Sequence, residues 1–329
     1  MAVTTGLGPD LEAVYEERYE GDYMSAHSSV ELWRVGEVLR SIRLPEGAAI
    51  VDYGCGRGRW IPMLLDAFPA ARVTGIDISP KAIEEARRAH PEHEFKAFDG
   101  SSAPLGDALS DLVFSYHVLE HVVDLPQTVA DMSRIVRPGG YVVAILPCGN
   151  RGSLEELATR LVEGGVERSA TGEERFAYED PTHLRRLTSA QLAAAFDGCG
   201  CELVHEFYSR HLAAVSYLSP ATVRDIFEPR RARSAAAAAV LAILRVTLLC
   251  TGAVVKLHQA PRARLRLMAR SDRGARKRLL ARAALLAQPL LRPVGSALEV
   301  ELPRREWRRT SSRRTGGAAQ FLVFRKRGR

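Results

Sequence analysis

The run Val51-Asp52-Tyr53-Gly54-Cys55-Gly56-Arg57-Gly58 stands between a short β-rich segment and a helical one. Three glycines at alternate positions let a backbone turn sharply and approach a ligand closely, since no Cβ intervenes. The helix that starts near Arg59 presents free amide groups to the same place. A glycine loop alone also serves plain turn geometry, so the acids that follow it carry weight. Asp77 ends the next β-rich run, 25 residues after Asp52, within Gly75-Ile76-Asp77-Ile78-Ser79. A carboxylate at that point can accept from both ribose hydroxyls of a nucleoside, as in dinucleotide-binding folds. Asp99-Gly100 ends the third run, where a carboxylate and a backbone amide can meet an adenine edge. Candidate bases come later: His117, Glu120 and His121, then His183 inside Tyr178-Glu179-Asp180-Pro181-Thr182-His183.

These residues need a scaffold, and the pattern around them supplies one. From Ala48 to Leu146, short β-rich runs (48–53, 72–77, 93–98, 111–116, 141–146) alternate with helical stretches (59–68, 80–89, 125–136). That alternation predicts an α/β, doubly wound parallel sheet with helices on both faces. Ser79-Pro80 reads as a helix cap and first-turn proline, and Arg137-Pro138-Gly139-Gly140 as a stop before the fifth strand. Residues 201–208 and 320–326 complete seven strands, and residues 10–44 read as one or two polar helices. Thr188 with Gln191 forms a capping box. Helices are expected at 234–252, with Gly252 as stop, and at 272–291. Residues 303–317 read as an exposed linker.

As a set, VDYGCGRG (51–58), GIDIS (75–79), FDG (98–100), DLVFSYHVLEHVVD (111–124) and RPGGYVVAILP (137–147) resemble the class I S-adenosylmethionine-dependent methyltransferases. The resemblance is to the small-molecule branch that includes the ubiquinone and menaquinone enzymes. It covers roughly residues 10–210, with 320–327 as an antiparallel last strand. It implies S-adenosyl-L-methionine as cofactor and S-adenosyl-L-homocysteine as product. By the same resemblance, Gly54, Gly56 and Gly58 pass close to the methionine part and Asp52 holds its amino group, directly or through water. Asp77 takes the ribose hydroxyls with Ile78 against the adenine, Asp99 and Gly100 hold the adenine edge, and Tyr116 and His117 face the sulfonium side. A hydride-transfer fold would prefer G-x-G-x-x-G, which is absent.

Displacement at a sulfonium carbon needs alignment and, for some acceptors, removal of a proton. No metal is required, and none is expected. His121 and His183 are the candidate catalytic residues. Tyr15, Tyr19 and Arg34 are candidates for covering the cofactor carboxylate. Cys199, Cys201 and His205 make an incomplete tetrahedral metal set. The expected acceptor is an oxygen or nitrogen of a small molecule, a lipid or a lipid-linked saccharide. RNA methylation and a non-catalytic cofactor-binding regulator are the alternatives.

Length and charge divide the chain. Its 329 residues suit about two units, and 46% hydrophobic with 26% charged residues excludes global disorder. The expected parts are a helical cap (1–44), a Rossmann-like core (45–228, completed by 318–329) and a basic helical insertion (229–317). Net charge is +7, yet residues 230–329 hold 25 Lys and Arg against 4 Asp and Glu. An anionic membrane surface met through 234–292 is favoured over a lid or homodimer contact. Nucleic acid is disfavoured because stacking aromatics are scarce there. Five cysteines form no disulfide framework, and no basic-then-apolar leader opens the sequence. The expected setting is cytoplasmic, peripheral at the inner membrane surface.

Overall fold

A computed structural model of the chain describes residues 11–19, 29–169, 171–209, 223–224, 226–270, 274–310 and 314–328. Parts of the expected N-terminal cap (1–10, 20–28), Arg273 and 311–313 of the expected linker lie outside the described residues. By its internal contacts the chain divides into two units: 1–150, 166–208 and 311–329 in one, 151–165 and 209–310 in the other.

The first unit is a seven-stranded sheet. Its strands are β1 (Ala49–Tyr53), β2 (Arg72–Asp77), β3 (Glu94–Ala97), β4 (Ser110–Tyr116), β5 (Val136–Pro147), β8 (Cys201–Ser209) and β9 (Ala319–Lys326); a separate two-stranded hairpin holds β6 (Val166–Arg168) and β7 (Glu174–Phe176). The order is β3-β2-β1-β4-β5-β9-β8. β1 to β5 pair in parallel, while β9 runs antiparallel to β5 with Phe321 opposite Ile145. The central strands are apolar runs because both faces are covered by helices. β4 is buried along its whole length.

Helices α1 (Leu11–Arg18), α2 (Ser29–Arg40), α3 (Ile61–Ala67), α4 (Pro80–Ala89), α5 (Leu125–Ile135) and α7 (Ser189–Gly198) belong to this unit. Their starts follow from local chemistry. Ser79 accepts from Ala82 N at 3.1 Å, and Asp124 accepts from Gln127 N at 2.9 Å. The Thr188–Gln191 capping box forms in both directions. Phe196 of α7 stacks on Phe324 of β9, with centroids 4.1 Å apart. α5 ends at Ile135, and Arg137-Pro138-Gly139-Gly140 follows it as the sequence predicts. The segment bulges out within β5, where the register with β4 shifts between Ser110 and Leu112 before regular pairing resumes at Tyr141. A Cβ at Gly140 would meet Asp111 O at 2.8 Å, so glycine is what lets the bulged backbone press against β4.

The second unit holds α6 (Leu154–Leu161), α8 (Ala235–Gln259), α9 (Arg262–Arg270), α10 (Ala275–Ser296), a π turn (Ala297–Glu301) and α11 (Leu302–Thr310). Two expectations are corrected here. α8 runs through Gly252 and ends before Pro261, which disfavours helix for the residue ahead of it. A lone glycine costs about 1 kcal/mol and is outweighed by continuing apolar spacing. The segment expected as a linker begins with a helix: Pro303, Glu306 and Trp307 are buried at helical spacing, while the arginines between them are exposed. Pro303 has no N–H to offer the carbonyl of Glu299, and the π turn sits at that position.

Close packing of α10 on α8 has specific causes. A Cβ at Gly295 would lie 2.4 Å from His258 Cβ. Buried Gln288 donates from Nε2 to Leu257 O at 3.0 Å and Ala260 O at 2.8 Å, satisfying carbonyls at the end of α8. Among the described residues, α8 is the helix long and apolar enough to cross a membrane by length and composition. Arg245 in its middle pairs with Glu228 at 2.9 Å.

Candidate functional site

The C-terminal ends of β1, β2 and β4 meet where the strand order reverses between β1 and β4, the place ligands occupy in open α/β sheets. A cavity of about 460 Å³ opens there, lined by Gly54, Gly56, Asp77, Ile78, Asp99, Gly100, Tyr116, His117 and His121 among others.

The glycine loop is held down by backbone bonds: Gly54 N and Cys55 N both donate to Ile76 O, at 2.8 and 3.0 Å. Gly54 and Gly56 take φ of +79° and +50°, where a side chain is strained. A Cβ on Gly54 would stand 2.3 Å from Val118 Cγ2, and one on Gly56 would stand 2.6 Å from the Tyr19 hydroxyl. Gly58 does not line the cavity; its N–H donates to Cys55 O at 2.9 Å and closes the turn.

Asp77 accepts from Gly56 N at 2.8 Å and from Ser79 N at 3.0 Å, so it ties the loop to the start of α4. Burial pushes its carboxyl up, and those amides, with that of Ile78, oppose the shift. Asp52 lies beside the loop, 1% exposed, and does not line the cavity. Among the described residues its Oδ2 has no hydrogen-bond partner. Burial, reinforced by the charge of Asp77, raises Asp52 to about 8. An ammonium group reaching this carboxylate would satisfy the orphaned oxygen, so the residues fit an amino-acid ligand at the loop. Asp99 is exposed, and the Ser101 hydroxyl and amide hold its carboxyl below the usual range.

The rim is aromatic. Trp60 and Tyr116 lie 4.5 Å apart by ring centroid, and Tyr116 and His117 4.6 Å. His117 carries φ of +56°, a left-handed backbone in a non-glycine residue, costing on the order of 1–3 kcal/mol. Its amide donates to Ile145 O and its Nδ1 meets Glu120 Oε1, both at 2.7 Å, which holds the strained residue in place. α1 contributes Tyr15 and Tyr19 to the lining. Glu16 of α1 accepts from the Ser79 hydroxyl at 2.6 Å and from Lys81 N at 3.0 Å. Arg34, expected near the cofactor carboxylate, is buried in α2 beside Glu31 and does not line the cavity.

His121 lines the cavity, whereas His183 does not; their rings meet edge to face at 4.7 Å behind it. Thr182 sets the tautomer of His121. His121 Nδ1 lies 3.2 Å from Thr182 O and 3.1 Å from Thr182 Oγ. A carbonyl only accepts, so Nδ1 carries the hydrogen and Nε2 keeps its lone pair. Burial lowers His121 to about 4, which leaves it neutral at pH 7. Glu120 is buried too, yet the charges of His117, His121 and His183 bring it down to about 2. Burial works to lower His183, but the nearby Glu179 and Glu120 carboxylates raise it on balance.

A chain of contacts ties this cluster to α1. Thr182 Oγ donates to Asp180 Oδ1 at 2.8 Å. Arg18 of α1 grips both Asp180 oxygens, at 2.7 and 2.5 Å. The sequence places Asp180 and Thr182 in the segment around His183 without giving either a role of its own, and it assigns nothing to Arg18. The Asp-Pro-Thr turn is a local signal, since Thr182 N donates back to Asp180 Oδ1 at 3.0 Å. The pairing with Arg18, 162 positions away, has no local signal.

A model of the methyltransferase domain matches residues 51–144. The chain is similar to the trans-aconitate 2-methyltransferase of Variovorax paradoxus, 32% identical over 34% of this chain and 43% of that protein. It is 31% identical to the malonyl-[acyl-carrier protein] O-methyltransferase of Hahella chejuensis, over 60% of this chain and 69% of that protein. It is 36% identical to the ubiquinone biosynthesis O-methyltransferase of Methylocella silvestris, over 55% of this chain and 71% of that protein. The match spans 42–44% of the length of the first three curated relatives.

Proposed function

The chain belongs to the S-adenosylmethionine-dependent methyltransferases, and from that premise we propose that it methylates an oxygen or nitrogen atom of a small molecule, a lipid or a lipid-linked saccharide. The observation that carries this reading is the gathering of Gly54, Gly56, Asp77, Asp99, Gly100 and His117 around one cavity beside Asp52, whose Oδ2 has no hydrogen-bond partner among the described residues. When bound, S-adenosylmethionine supplies a methyl group on a sulfonium, which is already a good leaving group.

The chain's own residues then bind, align and exclude water. Asp77 accepts from the ribose hydroxyls while keeping its loop amides, and Asp52 takes the amino group. Ile78 and Phe98 flank the adenine end, with Asp99 and Gly100 at its polar edge. Tyr15, Tyr19, Trp60 and Tyr116 wall off solvent around the reacting end, which strengthens polar contacts inside it. His121 Nε2, unprotonated at neutral pH, meets the acceptor; His183 supports it from behind. Two relatives whose names specify O-methyl transfer favour an oxygen acceptor over nitrogen.

The second unit gives the acceptor a physical source. Residues 229–298 hold 15 Lys and Arg and a single acid, Asp272. On α10, Ala281, Gln288 and Gly295 are buried, while Leu279, Leu286 and Leu290 on the opposite side are 68%, 78% and 80% exposed. An apolar ridge flanked by arginines suits the headgroup region of an anionic bilayer. In this proposal the unit brings the chain to such a surface, where lipid-borne acceptors reside.

The test is transfer of a labelled methyl group from S-adenosylmethionine into lipid, glycan, small-molecule and RNA extracts. Label in a lipid or small-molecule fraction, with stoichiometric S-adenosylhomocysteine, is the expected result. Label confined to RNA would contradict it, as would cofactor binding without turnover in every extract.

A further inference from the structure

We propose that Glu120, His121 and His183 form a binding site for a first-row divalent cation that holds and acidifies the hydroxyl of an oxygen acceptor. The inference rests on the methyltransferase reading and adds to it a ligand set and an acceptor class. It also replaces the expectation, drawn from displacement chemistry alone, that no metal takes part.

One ligand atom from each of the three residues lies within 4.8 Å of the other two. Two imidazoles and a carboxylate are a donor set used by catalytic zinc and non-haem iron sites, and they leave positions open for a substrate oxygen. Metal–ligand bonds of about 2.0–2.2 Å put such atoms about 3–4 Å apart. The cluster therefore has to close by on the order of 1 Å, which small side-chain rotations supply.

Glu120 and His121 each have their second polar atom already committed. Glu120 is 1% exposed; its Oε1 meets His117 Nδ1 at 2.7 Å and lies 3.9 Å from His121 Nε2, and its Oε2 has no partner among the described residues. Leaving a buried carboxylate oxygen unmatched is costly, and a cation removes the cost. His121 gives its Nδ1 hydrogen to Thr182, leaving the Nε2 lone pair. His183 Nδ1 has no hydrogen-bond partner among the described residues and faces Glu179 Oε2 at 3.8 Å; the proposal assigns its Nε2 to the cation. Metal-bound histidines characteristically present their second nitrogen to a carboxylate or carbonyl, which fixes the ring and its tautomer. His121 does so with Thr182 O, and His183 Nδ1 has the Glu179 carboxylate 3.8 Å away.

His121 lines the substrate cavity, so a cation on its Nε2 borders the place an acceptor must reach. A hydroxyl that coordinates the cation gives its proton to water at lower pH than the free group does. His121 then meets the acceptor through the cation.

The competing account is a structural ion-pair cluster with a His183 imidazolium between Glu120 and Glu179. The experiment titrates chelator-treated full-length protein with Zn²⁺ by calorimetry and with Co²⁺ by visible absorption, alongside S-adenosylhomocysteine. The proposal expects one cation per chain and Co²⁺ bands of a nitrogen- and oxygen-ligated ion. His183→Ala and Glu120→Gln should each weaken cation binding by at least about tenfold, with S-adenosylhomocysteine affinity nearly unchanged in His183→Ala. X-ray absorption on Zn²⁺-loaded wild-type protein should give two imidazoles and no sulfur, and it decides the matter if a variant fails to fold. No cation binding to folded wild type, equal binding in His183→Ala, or sulfur ligation would overturn the site. Wild-type protein that binds the cation but not S-adenosylhomocysteine would overturn the methyltransferase reading instead.

Discussion

Burial moves Asp52 far from ordinary carboxylate behaviour. Its folded-state value of about 8 lies above the ordinary 3.8 because of burial and the charge of Asp77. The folded protein therefore binds this proton more tightly than the unfolded chain. Asp52's share of stability is complete below about pH 4 and is lost as pH rises to about 8, beyond which it is constant. Urea titrations of the ligand-free protein should show that decline, and Asp52→Asn should flatten it. The same proton opposes an ammonium ligand. S-adenosylhomocysteine affinity should accordingly climb towards about tenfold per pH unit between about pH 6 and 8, and Asp52→Asn should remove the dependence. A wild-type affinity independent of pH over that range would show that Asp52 does not hold the amino group. Asp52, Asp77 and Asp99 were legible in the sequence because each stands at the end of a β-rich run. Thr182 and Arg18 were not, since their roles depend on contacts with His121 and Asp180 far away in sequence.

At the scale of elements, β2 and its neighbours set the position of Asp77. A Cβ at Gly75 would stand 2.6 Å from Phe95 Cδ1 and 2.7 Å from Cys55 Sγ. Gly75→Ala must push β3 or the glycine loop aside. It should cost about 1–3 kcal/mol in stability and weaken S-adenosylhomocysteine binding as well, read by thermal unfolding and calorimetry. The sheet was legible because strands buried on both faces are written as apolar runs with turn residues between them. Of the second unit's helices, α8 and α10 were legible in existence but not in extent, while α6, α9 and α11 were not read from the sequence. Gly252 looks like a stop in isolation, and Pro303 with its arginines looks like a linker, until Trp307 finds a buried place. The hairpin of β6 and β7 was missed because three-residue strands leave no periodicity to detect.

For the whole molecule, the charge imbalance and the exposed ridge of α10 make a joint prediction. Vesicles containing anionic lipid should sediment the protein, neutral vesicles should not, and high salt should weaken the attraction. Leu279→Glu with Leu286→Glu should reduce binding further while leaving thermal unfolding nearly unchanged, because both side chains are exposed. Binding indifferent to lipid charge and to these substitutions would point to a contact between protein chains. The central claim, however, is that the first unit binds a nucleoside through Asp77. Calorimetric titration of S-adenosylhomocysteine into wild-type protein and Asp77→Ala tests it most directly. Charge-assisted hydrogen bonds to the ribose predict 1:1 binding by the wild type and a loss of at least about tenfold in the folded variant. Equal affinity in the two proteins would contradict the assignment.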